Sequence, residues 1–247
     1  MNMGKNNEIR FLENCLIIDN KILVLSDFHI GYEEYLYGKM IPIRAQFDET
    51  IKSLDRVFNL MKKEKRKIEK IVILGDLKHE FGEISESEWS ETLGLMDYLL
   101  KKTEKIILIN GNHDNILGPI AKKRGIEVVS YYKYKNICFI HGDKLQDECE
   151  GSKILIMGHL HPAITLSDPY KKEKFKCFLL GKWKGKRVII IPSFIPLVFG
   201  YDLRDINELE KEFSFIENRS LKNFEVIIYN EKEEREYNFG KLKGLIK

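Results

Sequence analysis

Short apolar runs rich in β-branched residues, bounded by Gly, Asp or Asn, recur along the chain. Leu16–Ile18 and Lys21–Leu25 predict a pair of strands around an Asp19-Asn20 turn. Glu69–Leu74, Lys105–Ile109, Ile137–Ile140 and Lys153–Met157 predict four more, each nearly continuous in apolar residues, as strands buried on both faces are. Between them the spacing becomes helical. Phe47, Ile51, Leu54, Phe58 and Met61 fall on one helical face and run into the basic cluster Lys62–Lys67. Trp89, Leu93, Met96 and Leu100 mark a second helix, whose Ser85–Glu88 start predicts a capping box. A shorter helix follows Asp114 and ends at Gly125. Alternating strands and helices predict an α/β core.

After residue 160 the pattern changes. Lys176–Lys182 and Lys186–Pro192 alternate around Lys184-Gly185, which predicts an antiparallel hairpin. From about residue 204 the chain is charged, with a last strand at Phe224–Tyr229. There is no internal repeat, low-complexity tract or Gly/Ser linker, so one domain over residues 1–247 is expected, with a core at about 9–200 and a C-terminal extension at about 204–247.

Composition adds limits. The 247 residues carry 41 basic and 38 acidic side chains, a net charge of +3 that gives little support to nucleic-acid binding by the chain as a whole. Charged residues at 32%, with abundant Lys, Glu and Ile, give a profile like that of proteins from hot-living organisms, which an AT-rich genome alone would also produce. The start, Met1 to Glu8, is polar, and no apolar run approaches the roughly 18–20 residues of a membrane span. Cys15, Cys138, Cys149 and Cys177 lack CxxC spacing, so reduced thiols in a cytoplasmic protein are expected, without a zinc knuckle or disulfide framework. Basic segments stand at Lys62–Lys67, Lys122–Arg124, Lys171–Lys176 and Lys182–Arg187. The last holds Trp183, which could stack on a nucleobase; the favoured expectation is an ordinary surface aromatic on a solvated hairpin tip.

Each predicted buried strand ends in polar residues able to hold a metal. They are Asp27-Phe28-His29, Gly75-Asp76-Leu77-Lys78-His79, Asn110-Gly111-Asn112-His113-Asp114, His141-Gly142-Asp143 and Gly158-His159-Leu160-His161. All six histidines of the chain lie in these five loops. A lone histidine on an apolar strand is more often structural than a ligand. Six at strand ends beside Asp, Asn and Gly form a site, and an open α/β sheet gathers its sites at such ends.

The set Asp27-x-His29, Gly75-Asp76, Gly111-Asn112-His113, His141 and Gly158-His159-x-His161, in that order over residues 22–161, closely resembles the signature of the calcineurin-like metallophosphoesterase superfamily. The resemblance implies a four-layer αββα sandwich of two mixed β-sheets. It implies one metal on Asp27, His29 and His161, a second on Asn112, His141 and His159, and Asp76 bridging them. A bridging hydroxide would then attack a phosphodiester in line. Mixed imidazole, carboxylate and amide donors without thiolate suit manganese first, with iron and zinc open. By the same resemblance His113 faces the substrate, stabilising the transition state and protonating the leaving oxygen.

His79 stands where the phosphoprotein phosphatases carry an Asp, and Glu80-Phe81 replaces their Arg-Gly; both features resemble the SbcD-like nuclease branch. A second imidazole beside His113 suits a diester, whose alkoxide leaving group needs a proton; a role only in orienting the loop is the alternative. Ser26–Glu33 and Gly75–Phe81 look like the archaeal SbcD-related phosphoesterases, although 55 residues follow the hairpin here where the longer nucleases of that branch carry a capping domain and a partner-docking segment. The expected function is therefore hydrolysis of phosphodiesters in nucleic acid or nucleotides, with no membrane involved. Rival readings are a phosphomonoesterase of nucleotides or small phosphates and a non-catalytic scaffold.

Overall fold

The computed structural model describes residues 7–38, 44–80, 84–114, 116–207 and 214–246. Phe81, Met1 to Asn6 and parts of the C-terminal extension, on which the sequence reading also touched, lie outside them. A six-stranded sheet is built in sequence order from β1 (Ile9–Leu12), β2 (Cys15–Ile18), β3 (Ile22–Leu25), β4 (Lys70–Ile73), β5 (Lys105–Ile109) and β6 (Glu127–Val129). The first two pairings are antiparallel and the rest parallel. Helices α1 (Tyr32–Tyr37), α2 (Ala45–Lys63), α3 (Glu86–Leu100) and α4 (Gly118–Lys123) fall between its strands.

The chain continues through β7 (Tyr132–Tyr134), β8 (Ile137–Phe139), β9 (Ile154–Met157), β10 (Pro162–Ser167), β11 (Lys172–Lys176), β12 (Phe178–Trp183), β13 (Lys186–Ile190), β14 (Tyr201–Asp202), the single turn α5 (Asn218–Leu221), β15 (Glu225–Asn230) and β16 (Arg235–Lys241). A seven-stranded mixed sheet has the order β16-β15-β12-β13-β9-β8-β7, and β11-β10-β14 form a small third sheet.

The continuous apolar runs have the predicted cause. In β3, Ile22 and Val24 face a core layer between the two large sheets, where they meet Ile137, Phe139, Ile154, Ile156 and Ile189 of the second sheet. Leu23 and Leu25 face the other way, under Leu54, Val57 and Met61 of α2 and Leu95, Met96 and Leu99 of α3. Neither face meets water, so no polar alternation survives. The outer face of the second sheet is covered by a thinner layer, with Ile164 of β10, Leu203, Ile206 and Leu221 of α5. The architecture is a sandwich of two mixed sheets of the α/β class, as the resemblance implies. No helix among the described residues is long and apolar enough to cross a membrane.

Five expectations are corrected. Phe224–Tyr229 does not hold the last strand, because β16 follows β15 and pairs with it. The hairpin turns at Lys184-Gly185 as expected, both with positive φ as a tight two-residue turn requires. Its first strand begins only at Phe178, because Lys172–Lys176 belongs to β11 and the chain changes sheet at Cys177. Trp183 is neither a stacking platform nor a surface aromatic: it is 6% exposed, packs on Phe215 and donates its indole N–H to Glu217 at 3.0 Å. On α3 the buried stripe is Glu88, Thr92, Leu95, Met96 and Leu99, so Trp89, Leu93 and Leu100 lie at its margins. The thiols are not all free. Cys138 of β8 and Cys149 are joined as a disulfide with Cα atoms 5.6 Å apart, and both are buried. Their spacing of 11 residues carries no motif; packing of the outer layer on the second sheet brings them together.

Denatured protein without reductant should therefore show two titratable thiols, Cys15 and Cys177. Four before reduction would contradict the pairing.

Candidate metal centre

The five predicted loops leave neighbouring strand ends of both sheets and converge. Asp27 and His29 follow β3, Asp76 and His79 follow β4, Asn112 and His113 follow β5, His141 follows β8, and His159 and His161 follow β9. These nine side chains come to one place. Asp27, His29, Asp76, His159 and His161 all have left-handed backbone, with φ of 53°, 43°, 50°, 64° and 46°. Such conformations cost non-glycine residues about 1–3 kcal/mol each and persist where the surroundings over-determine them.

Two groups of donors form. In the first, His29 Nε2 and His161 Nε2 are 3.3 Å apart, and His161 Nε2 is 3.4 Å from Asp27 Oδ1. In the second, His141 Nε2 is 2.9 Å from Asn112 Oδ1 and 3.1 Å from His159 Nδ1. Asp76 lies between them: its Oδ2 is 3.4 Å from His29 Nε2 and 3.4 Å from His141 Nε2. His141 donates its Nδ1–H to the Leu74 carbonyl at 2.7 Å, which turns Nε2 inward.

The electrostatics are those of a cation site. Burial pushes Asp76 up, but the hydrogen bond and charge of His141, the charge of His29 and the His113 amide prevail and hold it well below the usual carboxylate range. Burial likewise pushes His141 down, yet Asp76 and Asp27 raise it to about 9. His159 is lowered to about 4, first by burial and then by His141. Asp27 Oδ2 accepts from the Ser26 hydroxyl at 2.5 Å and the His159 amide at 3.0 Å. Asp27 Oδ1 is buried without a hydrogen-bond partner. A carboxylate oxygen in that condition, facing imidazole nitrogens, fits a metal ligand. The groups Asp27, His29, His161; Asp76, His141, His159; and His29, His79, His113 each place their ligand atoms within 4.8 Å of one another.

His113 and His79 flank this centre. His113 donates its Nδ1–H to the His79 carbonyl and its amide to Asp76 Oδ1 at 3.0 Å; its Nε2 is 3.9 Å from Asp76 Oδ2. The His79 ring stacks on His113 with centroids 5.3 Å apart, while its Nδ1 meets His29 Nδ1 at 3.3 Å. Burial, then the neighbouring His113, lowers His79 to about 4, so it is neutral at pH 7.

The supporting roles of three residues escaped the sequence reading. Glu88 forms only half of the expected capping box: Ser85 accepts from its amide at 3.1 Å, but its carboxylate accepts from the amides of His79 and Glu80, each at 2.9 Å. Gln46, in the first turn of α2, donates to the carbonyls of Phe28 and His29 at 3.1 and 2.7 Å. Buried Asp114 accepts from the amides of Leu77 and Gly111, at 2.9 and 3.1 Å, tying the β4 loop to the β5 loop. A buried polar residue in the first turn of an amphipathic helix was the available signal for Gln46 and Glu88. Two glycines are fixed by close approach. A Cβ at Gly111 would strike the Asp76 carboxylate, and one at Gly158 would strike Ser26 and Asp27.

A family model described as calcineurin-like phosphoesterase matches residues 20–236. Among solved structures, nuclease MPE of Pseudomonas putida is similar at 17% identity and a TM-score of 0.61, over 95% of this chain and 100% of that one. A Vps29 mutant of Entamoeba histolytica is 16% identical with a TM-score of 0.38, over 89% and 99%. Yfce, a phosphoesterase from E. coli, is 14% identical with a TM-score of 0.37, over 70% and 79%. At 17% identity the likeness to nuclease MPE is one of fold. Comparison with curated proteins gave no match.

Asp114→Ala should destabilise the protein by about 1–3 kcal/mol for each amide it orphans, read as a lower urea midpoint. An unchanged midpoint would contradict the tie between the two loops.

Proposed function

Because this chain belongs to the calcineurin-like phosphoesterase family, we propose that it is a dinuclear metal-dependent phosphodiesterase acting on nucleic acid or nucleotides. One divalent ion would be held by Asp27, His29 and His161, the other by Asn112, His141 and His159, with Asp76 shared. Manganese is the first choice. The observation that carries this reading is the position of Asp76 Oδ2, 3.4 Å from one imidazole nitrogen of each donor group. Bound ions would supply Lewis acidity for the phosphate oxygens and acidify the attacking water.

The chain's own residues supply the rest. The His79 carbonyl holds Nδ1 of His113, so Nε2 is the nitrogen on the substrate side, positioned to protonate the departing alkoxide. His79 is neutral and lies against both His29 and His113, a position suited to orienting those two rings. The absence of an Asp at this position, together with the phrases Ser26–Glu33 and Gly75–Glu80, supports an SbcD-related branch and a diester substrate. One phosphoesterase domain spans the chain in this reading. The charged composition suits a heat-adapted organism, and in such an organism a buried disulfide like Cys138–Cys149 is compatible with the cytoplasmic location expected from the sequence.

Chelator-stripped protein should hydrolyse bis-p-nitrophenyl phosphate faster than p-nitrophenyl phosphate once manganese is added, and neither without it. A preference for the monoester would make it a phosphomonoesterase; no turnover with any divalent metal would favour the scaffold. On a dinucleotide diester, whose leaving group is an alkoxide, His113→Ala should lower the rate roughly 10²–10⁴-fold, the usual worth of a general acid, with metal stoichiometry intact. Asp76→Asn should weaken uptake at both positions, and normal binding of two ions by that variant would refute the shared ligand.

A further inference from the structure

A cavity of about 560 Å³ opens beside the His29 and His161 side of the centre. Its other walls include Tyr32, Lys174, Leu197, Phe199 and Tyr201. That volume lies within the range of small-ligand sites. None of its lining residues is acidic, so it suits part of an anionic substrate. Phe199 is 53% exposed and Leu197 37%, although both are large and apolar.

The segment bearing them is firmly anchored. The Phe194 amide donates to the carbonyls of Ser26 and Asp27 at 2.9 and 3.2 Å, and the Tyr201 amide to the carbonyl of His161 at 2.9 Å. The Lys176 ammonium donates to the carbonyls of Ser193, at 2.7 Å, and of Ile195, while Lys174 donates to Gly200 at 2.9 Å. Gly200, with φ of 106°, lies so close to the His161 carbonyl that a side chain there would clash. Exposed apolar side chains are thus tied at both ends to the loops that carry Asp27 and His161. They are held at the mouth of the cavity instead of folding into the core, and an apolar surface fixed next to a reactive centre is a binding surface.

We propose that this cavity seats the nucleobase of the nucleotide adjoining the scissile phosphate, with Phe199 and Tyr32 as its aromatic walls. The cavity shares His29 and His161 with the centre, so a group inside it is one linkage away from a phosphate there. Lys174 uses one of an ammonium's three donors on Gly200, which leaves donors for a base carbonyl or a flanking phosphate. This rests on the phosphodiesterase reading and adds where the enzyme's selectivity comes from.

The test compares two diesters with the same charge and leaving group, thymidine 5′-(p-nitrophenyl phosphate) and methyl p-nitrophenyl phosphate, on manganese-loaded protein. The thymidine ester should have the higher kcat/KM by ~10-fold or more, through KM, as stacking of a base on aromatic side chains implies. Phe199→Ala should bring that ratio toward one, and Phe199→Tyr should restore it; because the ratio is internal to each variant, general damage does not imitate the effect. Turnover of both esters without discrimination would overturn the nucleobase seat and leave the phosphodiesterase reading standing. If neither ester is hydrolysed, the phosphodiesterase reading fails, and saturation-transfer NMR with thymidine monophosphate decides the seat: transfer to the base protons that Phe199→Ala abolishes supports it, and no transfer overturns it.

Discussion

Two carboxylates buried side by side set the terms for this molecule. Asp27 and Asp76 are 0% and 1% exposed, and each charge makes the other costlier to bury. A buried carboxylate is tolerated when hydrogen bonds and opposite charge replace its water. Here one oxygen of each accepts backbone or hydroxyl protons, and the other faces imidazole nitrogens at 3.4 Å, the long end of hydrogen-bond reach. Divalent cations, which this family uses, are the counter-charge that such an arrangement suits.

Much of the surrounding structure keeps these oxygens and nitrogens where they are. Two mixed sheets sharing an apolar layer bring five strand ends together. Helices α2 and α3 contribute more than apolar cover, because Gln46 and Glu88 in their first turns hold the His29 and His79 backbones. Asp114 joins the β4 and β5 loops, and Gly111 and Gly158 allow the backbone to approach the carboxylates. The left-handed backbone at five of the side chains in the site is affordable only inside such a frame.

The strands and the polar residues ending them were legible in the sequence because a strand buried on both faces leaves an unbroken apolar run, and its end stands out by contrast. The six histidines were legible for the same reason. What stayed hidden depended on three-dimensional neighbours. Glu88 read as a cap because Ser85 stands three residues before it, and nothing local says that its carboxylate meets the His79 loop. Trp183 sits among basic residues in sequence but under Phe215 in space. The Cys138–Cys149 pair has no motif, and β16 is an edge strand whose charged residues hide its alternation. Residues 193–201 carry no motif, although their amides fasten them to the loops of the centre and the lysines of β11 hold their carbonyls.

The central claim is that one carboxylate, Asp76, joins two cation sites. Anomalous scattering from crystals grown with manganese tests it most directly. Two peaks flanking Asp76, about 3.5–4 Å apart as in two-metal phosphoesterase sites, are the expected result. A single peak, or two that leave Asp76 outside the coordination of either, would contradict it.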